Sequence, residues 1–266
     1  MKVISLINGS LISETTAAYA IHYAKELKSS ISFIYVTGHD SIQDVMRSSE
    51  NLKAKSSNMD VEAEFIILDT LYELKKYAHS KDADMIFCST RHKHGILDKS
   101  FVQSIISQNI RADLSVIKIV KLGNTQNIEN IILPIKDTKL SVKKFTLMTV
   151  FTLAYNAKFE IYSLDTISSK QLSNISTQDI KKRLKEIIFG LRHYIKLLKI
   201  NSIPFSIKHD FSLKDGNKVK THIARNNYDL AIVGAHHDHS FLKHHPIDIL
   251  FENPLINTLY FIPHKD

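Results

Sequence analysis

The stretch that decides the fold is VISLINGS at residues 3–10, an apolar run that ends in a polar turn. A similar phrase, IILPIKDT, returns at residues 131–138. Two further landmarks recur in the same order, and their copies are FIYV at 33–36 with EIYS at 160–163, and DADMIFCS at 82–89 with YDLAIVGA at 228–235. Three landmarks repeated in one order predict an internal duplication, with two copies of one unit following each other along the chain.

The spacing of the landmarks indicates how the chain is divided. The offset between copies is 128 residues at the first landmark and 127 at the second, but 145 at the third. The second copy therefore carries extra residues before its third landmark. Because 266 residues suit two domains of about 130 residues each, we predict domains at 1–122 and 127–266, joined by a short polar linker.

Strand-like and helix-like stretches alternate through both halves. The candidate strands, rich in Ile, Val and Phe, lie at 2–8, 31–37, 61–68, 84–89, 114–120, 129–135, 158–164, 204–210, 229–234 and 257–262. The candidate helices lie after a cap at Ser13 and at 70–81, 100–111, 140–156, 177–199 and 215–227. Residues 39–59 are polar and fit a loop or a loosely packed helix. This alternation predicts the α/β class, with parallel sheets covered on both faces.

Composition narrows the class of protein. The apolar fraction of 44% and the charged fraction of 23% are those of an ordinary globular protein. No apolar stretch reaches the roughly 20 residues that a membrane span needs, and the single cysteine, Cys88, favours a reducing compartment, so we expect a cytoplasmic protein without a membrane partner. The net charge of +8 invites nucleic-acid binding, but the lysines are dispersed and no nucleic-acid motif accompanies them. A small anionic ligand is the better expectation.

The landmarks resemble those of the universal stress protein family in its tandem two-domain form. The resemblance rests on their order, on the Ile-Leu-Pro-Ile phrase that opens the second copy, on FIYV at the end of strand two, and on MIFCSTR at 85–91. It implies two tandem flavodoxin-like domains, also described as adenine-nucleotide alpha-hydrolase-like, each with a five-stranded parallel sheet. It also implies a role in stress adaptation more than in turnover, with ATP or AMP as the candidate cofactor.

The family's nucleotide site has an Asp after strand one, a hydrophobic contact after strand two, and Gly-x2-Gly-x9-Gly-Ser/Thr after strand four. Such glycines let backbone N–H groups approach phosphate oxygens. In the first half, the matching positions and their neighbours are Asn8, Gly9, Ser10, Val36, Ser89, Thr90, Arg91, His92, Gly95 and Ser104. Because Asn8 lacks the carboxylate and Ser89 and His92 replace glycines, the resemblance predicts weak or lost nucleotide binding.

The second half departs further from the family pattern. Lys136 stands at the Asp position, Gly234 matches the first glycine, and His237 takes the second. Pro246 removes an amide donor that the family points at phosphate. We expect this half to be degenerate for nucleotide and to pair with the first as an internal pseudo-dimer. Homodimerisation of the whole chain is a further expectation.

Histidines cluster after the fourth strand of the second half. Five of the 14 histidines lie between residues 236 and 245. His236, His237 and His239 are candidate zinc ligands. The same residues could instead form a pH-responsive cationic patch for an anion, or a surface loop with no dedicated role.

Three functions follow as expectations. The first is a non-catalytic stress-adaptation or regulatory protein, because the chain has no nucleophile elbow, phosphate-binding P-loop or Cys-x-x-Cys motif. The second is an ATP- or AMP-binding sensor, in which Arg91 and His92 contact phosphates in place of the missing glycines. The third is a zinc-binding protein. An enzyme such as a nucleotide hydrolase is a more distant alternative.

Overall fold

The computed structural model describes residues 2–38, 40–90, 96–123, 125–135, 140–213, 217–234, 247, 250 and 253–264, with the backbone alone at 96–100 and 172. The chain divides into two compact units. The first contains Met1–Gln126 and Tyr260–Asp266, and the second contains Asn127–Leu259. The predicted domains at 1–122 and 127–266, each with its own five-stranded sheet, stay a prediction.

The first unit alternates strands and helices. Its elements are β1 Lys2–Leu6, α1 Leu11–Glu26, β2 Ser30–Val36, α2 Ile42–Ser57, β3 Ala63–Leu68, α3 Leu71–Ser80, β4 Ala83–Ser89, α4 Ile96–Ser107 and β5 Asp113–Lys118. The strand order is β3-β2-β1-β4-β5, and every neighbouring pair is parallel. Each strand lies within two residues of its predicted bounds.

The second unit repeats this alternation with a longer crossover. Its elements are β6 Asn130–Ile135, α5 Val142–Tyr155, β7 Lys158–Thr166, α6 Ser169–Leu172, α7 Thr177–Gly190, α8 Arg192–Ile200, β8 Phe205–Ser212, α9 Asn217–Arg225 and β9 Leu230–Gly234. The strand order β9-β6-β7-β8 is again parallel. The final strand, β10 Asn257–Ile262, contains the boundary between the units. The predicted α/β class with parallel strands is confirmed.

Three local predictions are corrected. Helix α1 is capped by Ser10, whose hydroxyl accepts from the Ser13 N–H, and Ser13 itself is buried inside the first turn. Residues 39–59, predicted as a loop or loose helix, contain the regular helix α2. The single helix predicted at 177–199 is broken at Leu191, after a glycine that weakens the helix.

Helix α2 escaped the apolar pattern because its buried face is largely polar. The buried residues are Val45, Ser48, Ser49, Leu52 and Ser56. The Ser49 and Ser56 hydroxyls donate to backbone carbonyls within the helix, which satisfies those groups without water. Small serines let the helix pack closely, but they give no hydrophobic signal in the sequence.

A carboxylate joins neighbouring strands in the first unit. Ser32 on β2 lies opposite Glu64 on β3 in the parallel register. Glu64 Oε1 accepts from Lys2 Nζ at 2.6 Å and Tyr77 Oη at 2.7 Å, and Ser32 Oγ lies 2.9 Å away. The hydrogen bond from Lys2 is the largest cause that holds the pKa of Glu64 at about 2, although partial burial acts in the opposite direction.

The second unit carries the same arrangement with the residues exchanged. Glu160 on β7 lies opposite Ser206 on β8 and is 5% exposed. Its Oε1 lies 2.5 Å from His222 Nε2 and accepts from Tyr228 Oη at 2.6 Å, while Oε2 accepts from Lys208 Nζ at 3.0 Å and Ser206 Oγ at 3.1 Å. Burial alone would raise the pKa of Glu160, but these hydrogen bonds outweigh it and lower the pKa to about 2.

We predict that Glu160→Gln weakens the protein near neutral pH and flattens its acid unfolding. The pKa of Glu160 is lower in the folded chain than its ordinary 4.5, so its contribution is complete above pH 4.5 and is lost as pH falls toward 2. The expected loss at pH 7 is about 3 kcal/mol in the free energy of unfolding, measured with urea and circular dichroism. Glu62→Gln, at an exposed position, is the control and should change little. Equal effects of the two substitutions would contradict the prediction.

Candidate functional site

The strand order places a candidate site at the carboxyl ends of β1 and β4. The order β3-β2-β1-β4-β5 reverses direction between β1 and β4. In open parallel sheets, ligands bind outside the carboxyl ends of strands at such a switch point, because the two following loops diverge there. Asn8 follows β1 and Ser89 ends β4, so the topology brings these two predicted site residues to the same sheet edge.

The turn after β1 is held by the side chain of Asn8. Its Oδ1 accepts from the Ser10 N–H at 3.2 Å and from Ser10 Oγ at 2.7 Å. The Asn8 N–H donates to Ser13 Oγ at 3.3 Å, so the turn is also tied to the first turn of α1. The amide oxygen of Asn8 is therefore used inside the turn.

Gly9 is required by both its conformation and its neighbours. Its φ is +79°, in the left-handed region that glycine adopts freely. A Cβ at this position would lie 2.8 Å from the backbone of Asp44 and Val45. The start of α2 therefore lies directly against the turn after β1.

Asp40 is a site residue that the sequence analysis missed. Asn8 Nδ2 lies 3.4 Å from Asp40 Oδ1, at the long end of hydrogen-bond range. Asp40 precedes α2, in the loop after β2, the strand next to β1. Its position just beyond a strand end, like that of Asn8, was the available signal. A carboxylate thus stands beside the position where the family has one.

Val36 and Thr90 complete the described part of this edge. Val36 ends β2, is half-buried and pairs with Leu68 of β3. The Thr90 N–H donates to the Ile117 carbonyl at 3.1 Å, which extends the β4–β5 pairing. Among the described residues, Thr90 Oγ1 is buried without a hydrogen-bond partner.

The other predicted positions of the first half fall differently. Arg91, His92 and Gly95 lie outside the described residues. Ser104 lies in the third turn of α4, and only the first four N–H groups of a helix lack a partner within the helix. The N–H of Ser104 is therefore not placed to meet a phosphate. The set of nucleotide-binding residues stays a prediction.

In the second unit, a lysine crosses the corresponding switch point between β6 and β9. Lys144 lies in the first turn of α5, capped by Ser141. Its Nζ donates to the Pro134 carbonyl of β6 at 3.4 Å. A Cβ added to Gly234 of β9 would lie 3.2 Å from Lys144 Cδ, so the lysine chain covers this glycine. Lys144 was not predicted, because nothing in the sequence indicates where its side chain points.

A buried Ser–His–Asp group lies elsewhere in the second unit. His209 Nδ1 lies 3.3 Å from Ser163 Oγ, and its Nε2 is 4.0 Å from Asp165 Oδ2. Arg183 binds both oxygens of Asp165, at 2.5 and 3.1 Å. Burial lowers the pKa of His209. Ser163 is fully buried and the imidazole lies beyond hydrogen-bond distance of the carboxylate, so this group does not present a nucleophile to a substrate.

The zinc prediction falls on residues that the structure does not describe. His236, His237 and His239 lie outside the described ranges, as does Lys136. Within those ranges, no three His, Cys, Asp or Glu side chains gather closely enough to hold a metal ion. Also within them, no helix combines the length and apolarity needed to cross a bilayer.

Comparison with known proteins identifies the fold. No protein-family model and no curated protein sequence matches the chain. A universal stress protein from Archaeoglobus fulgidus DSM 4304 superposes with a TM-score of 0.62 at 10% identity, over 99% of this chain and 98% of that one. A functionally unknown protein from Pseudomonas aeruginosa PAO1 gives 0.60 at 9% identity, over 99% and 92%. The cytoplasmic domain of a prokaryotic cation chloride cotransporter gives 0.59 at 9%, over 99% and 95%. The chain therefore has a universal-stress-protein-like fold, as the landmarks predicted.

We predict that Gly9→Ala destabilises the protein more than Gly123→Ala. Both glycines have a positive φ, but an added Cβ meets backbone atoms only at Gly9 and nothing within 4 Å at Gly123. The conformational cost shared by both is about 1 kcal/mol, and the steric overlap at Gly9 adds about 1–3 kcal/mol. Urea unfolding followed by circular dichroism measures both. Similar losses would show that α2 does not press against the turn.

Proposed function

We propose that the protein is a non-catalytic regulatory binding module of the universal stress protein type, built by tandem duplication. Its first unit binds an adenine nucleotide weakly at the switch point between β1 and β4. The observation that carries this proposal is the turn after β1, where Gly9 and Ser10 keep a ligand-facing shape at the edge where such sheets bind ligands.

Weak binding follows from the use of Asn8. Its amide oxygen already accepts two hydrogen bonds from Ser10, so a ribose hydroxyl would have to compete for it. The neighbouring carboxylate of Asp40 repels phosphate groups that approach this edge. Both features keep the loop in shape while they reduce the affinity for an anion.

The second unit supports nucleotide binding less well. Lys144 fills the space above Gly234, the glycine at the end of β9. A side chain there takes the place that a backbone-lined phosphate cradle needs. We therefore assign the second unit a structural or interaction role, as partner of the first in an internal pseudo-dimer.

The fold neighbours support a regulatory role over turnover. One is a universal stress protein, and another is the cytoplasmic domain of a cation chloride cotransporter. In this chain, the buried Ser163 and the hydrogen-bonded Asn8 offer no activated nucleophile or general base. Phosphate release from ATP in the presence of Mg²⁺ is expected to stay at the rate of protein-free buffer.

The binding proposal predicts that Asp40→Asn tightens nucleotide binding. Removing one negative charge beside Asn8 is expected to lower the Kd for ATP by about five- to tenfold at low salt, measured by isothermal titration calorimetry. AMP should gain less, because it carries less charge. Asp60→Asn is the matched control. It removes the same charge at the amino end of β3, away from the site.

Two results would count against this proposal. If neither wild type nor Asp40→Asn binds ATP at millimolar concentration, the first unit does not hold a nucleotide. If Asp60→Asn tightens binding as much as Asp40→Asn does, the effect reflects the net charge of the protein and not this site.

A further inference from the structure

The second unit contains a helical segment that the first unit lacks. Ser32 and Glu160 occupy corresponding strand positions 128 residues apart, whereas Glu64 and Ser206 are 142 residues apart. Fourteen extra residues therefore lie in the crossover between β7 and β8, where α6, α7 and α8 are found. A segment present in one unit only is free to serve a purpose that the shared fold does not need.

Helices α7 and α8 carry apolar residues on two opposite faces. The inner face packs into the unit through Ile187, Leu191 and Leu198, all fully buried. The outer face exposes Phe189 at 68%, Leu197 at 48% and Ile200 at 66%. Backbone hydrogen bonds from Leu191 to Ile187 and from Ile195 to Leu191 continue the helical path through the break. The outer residues, spaced by eight and three, therefore lie along one side.

Basic side chains surround this outer apolar stripe. Six exposed basic residues lie on the two helices, and they are Lys181, Lys182, Lys185, Arg192, Lys196 and Lys199. The acidic residues there are Asp179 and Glu186. The guanidinium of Arg192 lies 4.3 Å from the centre of the Phe189 ring, which keeps the cation at the border of the apolar surface.

We propose that the outer face of α7 and α8 binds the surface of an anionic phospholipid bilayer. Phe189, Leu197 and Ile200 enter the acyl boundary, and the flanking lysines and Arg192 pair with lipid phosphates. Apolar side chains bordered by Lys and Arg suit the interface between headgroups and hydrocarbon. Peripheral binding needs no spanning segment, so the expectation of a protein without a membrane partner does not extend to it.

Charge and surface chemistry favour this occupant over others. A second copy of the same face would bring like charges together, which disfavours self-association. A nucleic acid offers phosphates but nothing that buries exposed Phe and Ile side chains. An anionic bilayer satisfies both the basic and the apolar components at once.

Vesicle sedimentation tests the proposal with the full-length protein. We expect wild type to sediment with vesicles of equal phosphatidylcholine and phosphatidylglycerol, about tenfold more than with phosphatidylcholine alone, and to be released at about 0.5 M NaCl. Phe189→Ser should reduce sedimentation at least fivefold. Tyr72→Ser is the matched control, because Tyr72 is 58% exposed on α3 and its ring lies 4.5 Å from Lys76 Nζ.

The charge requirement is tested separately. Lys196→Glu with Lys199→Glu should abolish sedimentation, whereas Lys25→Glu with Lys28→Glu, at the same spacing on the end of α1, should leave it near wild type. Circular dichroism and thermal unfolding confirm that each variant is folded. Equal sedimentation of Phe189→Ser and Tyr72→Ser, no preference for anionic vesicles, or loss of binding in both charge variants would overturn the proposal. Capture of a protein by this face without any affinity for lipid would assign it to a protein partner instead.

Discussion

A carboxylate placed between two parallel strands must keep its hydrogen-bond partners, since an unpaired buried charge would cost several kcal/mol. Both units are organised around this requirement. Glu64 gathers β1, β2 and α3 in the first unit, and Glu160 gathers β7, β8 and α9 in the second. The glutamate and its serine partner have changed strands between the two units, yet the bonded pair remains. Selection has therefore preserved the network more strictly than the residues, which supports descent of both units from one ancestor.

The turn after β1 shows the same economy of contacts near the candidate site. Asn8 uses its amide oxygen to fix Ser10, and Ser10 in turn caps α1. Gly9 makes the turn possible and allows α2 to approach. The interactions that give this edge its shape thus occupy the groups that would otherwise meet a ligand. A site can keep the backbone form of a nucleotide loop while its affinity declines.

The strands could be predicted from sequence because each is a short apolar run rich in Ile, Val and Phe. Helix α2 could not, because three of its five buried positions are serines that satisfy themselves within the helix or pack as small residues. Asp40 and Lys144 were missed for another reason. Their importance depends on which side chain or glycine lies beside them in space, and the sequence order of separate loops does not reveal that. The site residues at 91–95 and 236–239 remain predictions for the same physical reason, since loop positions depend on tertiary contacts.

The two units have diverged in the regions where the shared fold imposes least. Crossovers between parallel strands tolerate added residues, because a longer loop costs little extra entropy when both ends are already fixed by the sheet. The first unit kept a short crossover, and its α2 packs against the turn at Gly9. The second unit gained α7 and α8 with an apolar outer face, and Lys144 covers its switch point. This pattern fits a division of labour in which one copy retains a weak ligand edge and the other supplies a docking surface, because a duplicated unit can change at one site while its partner preserves the original one.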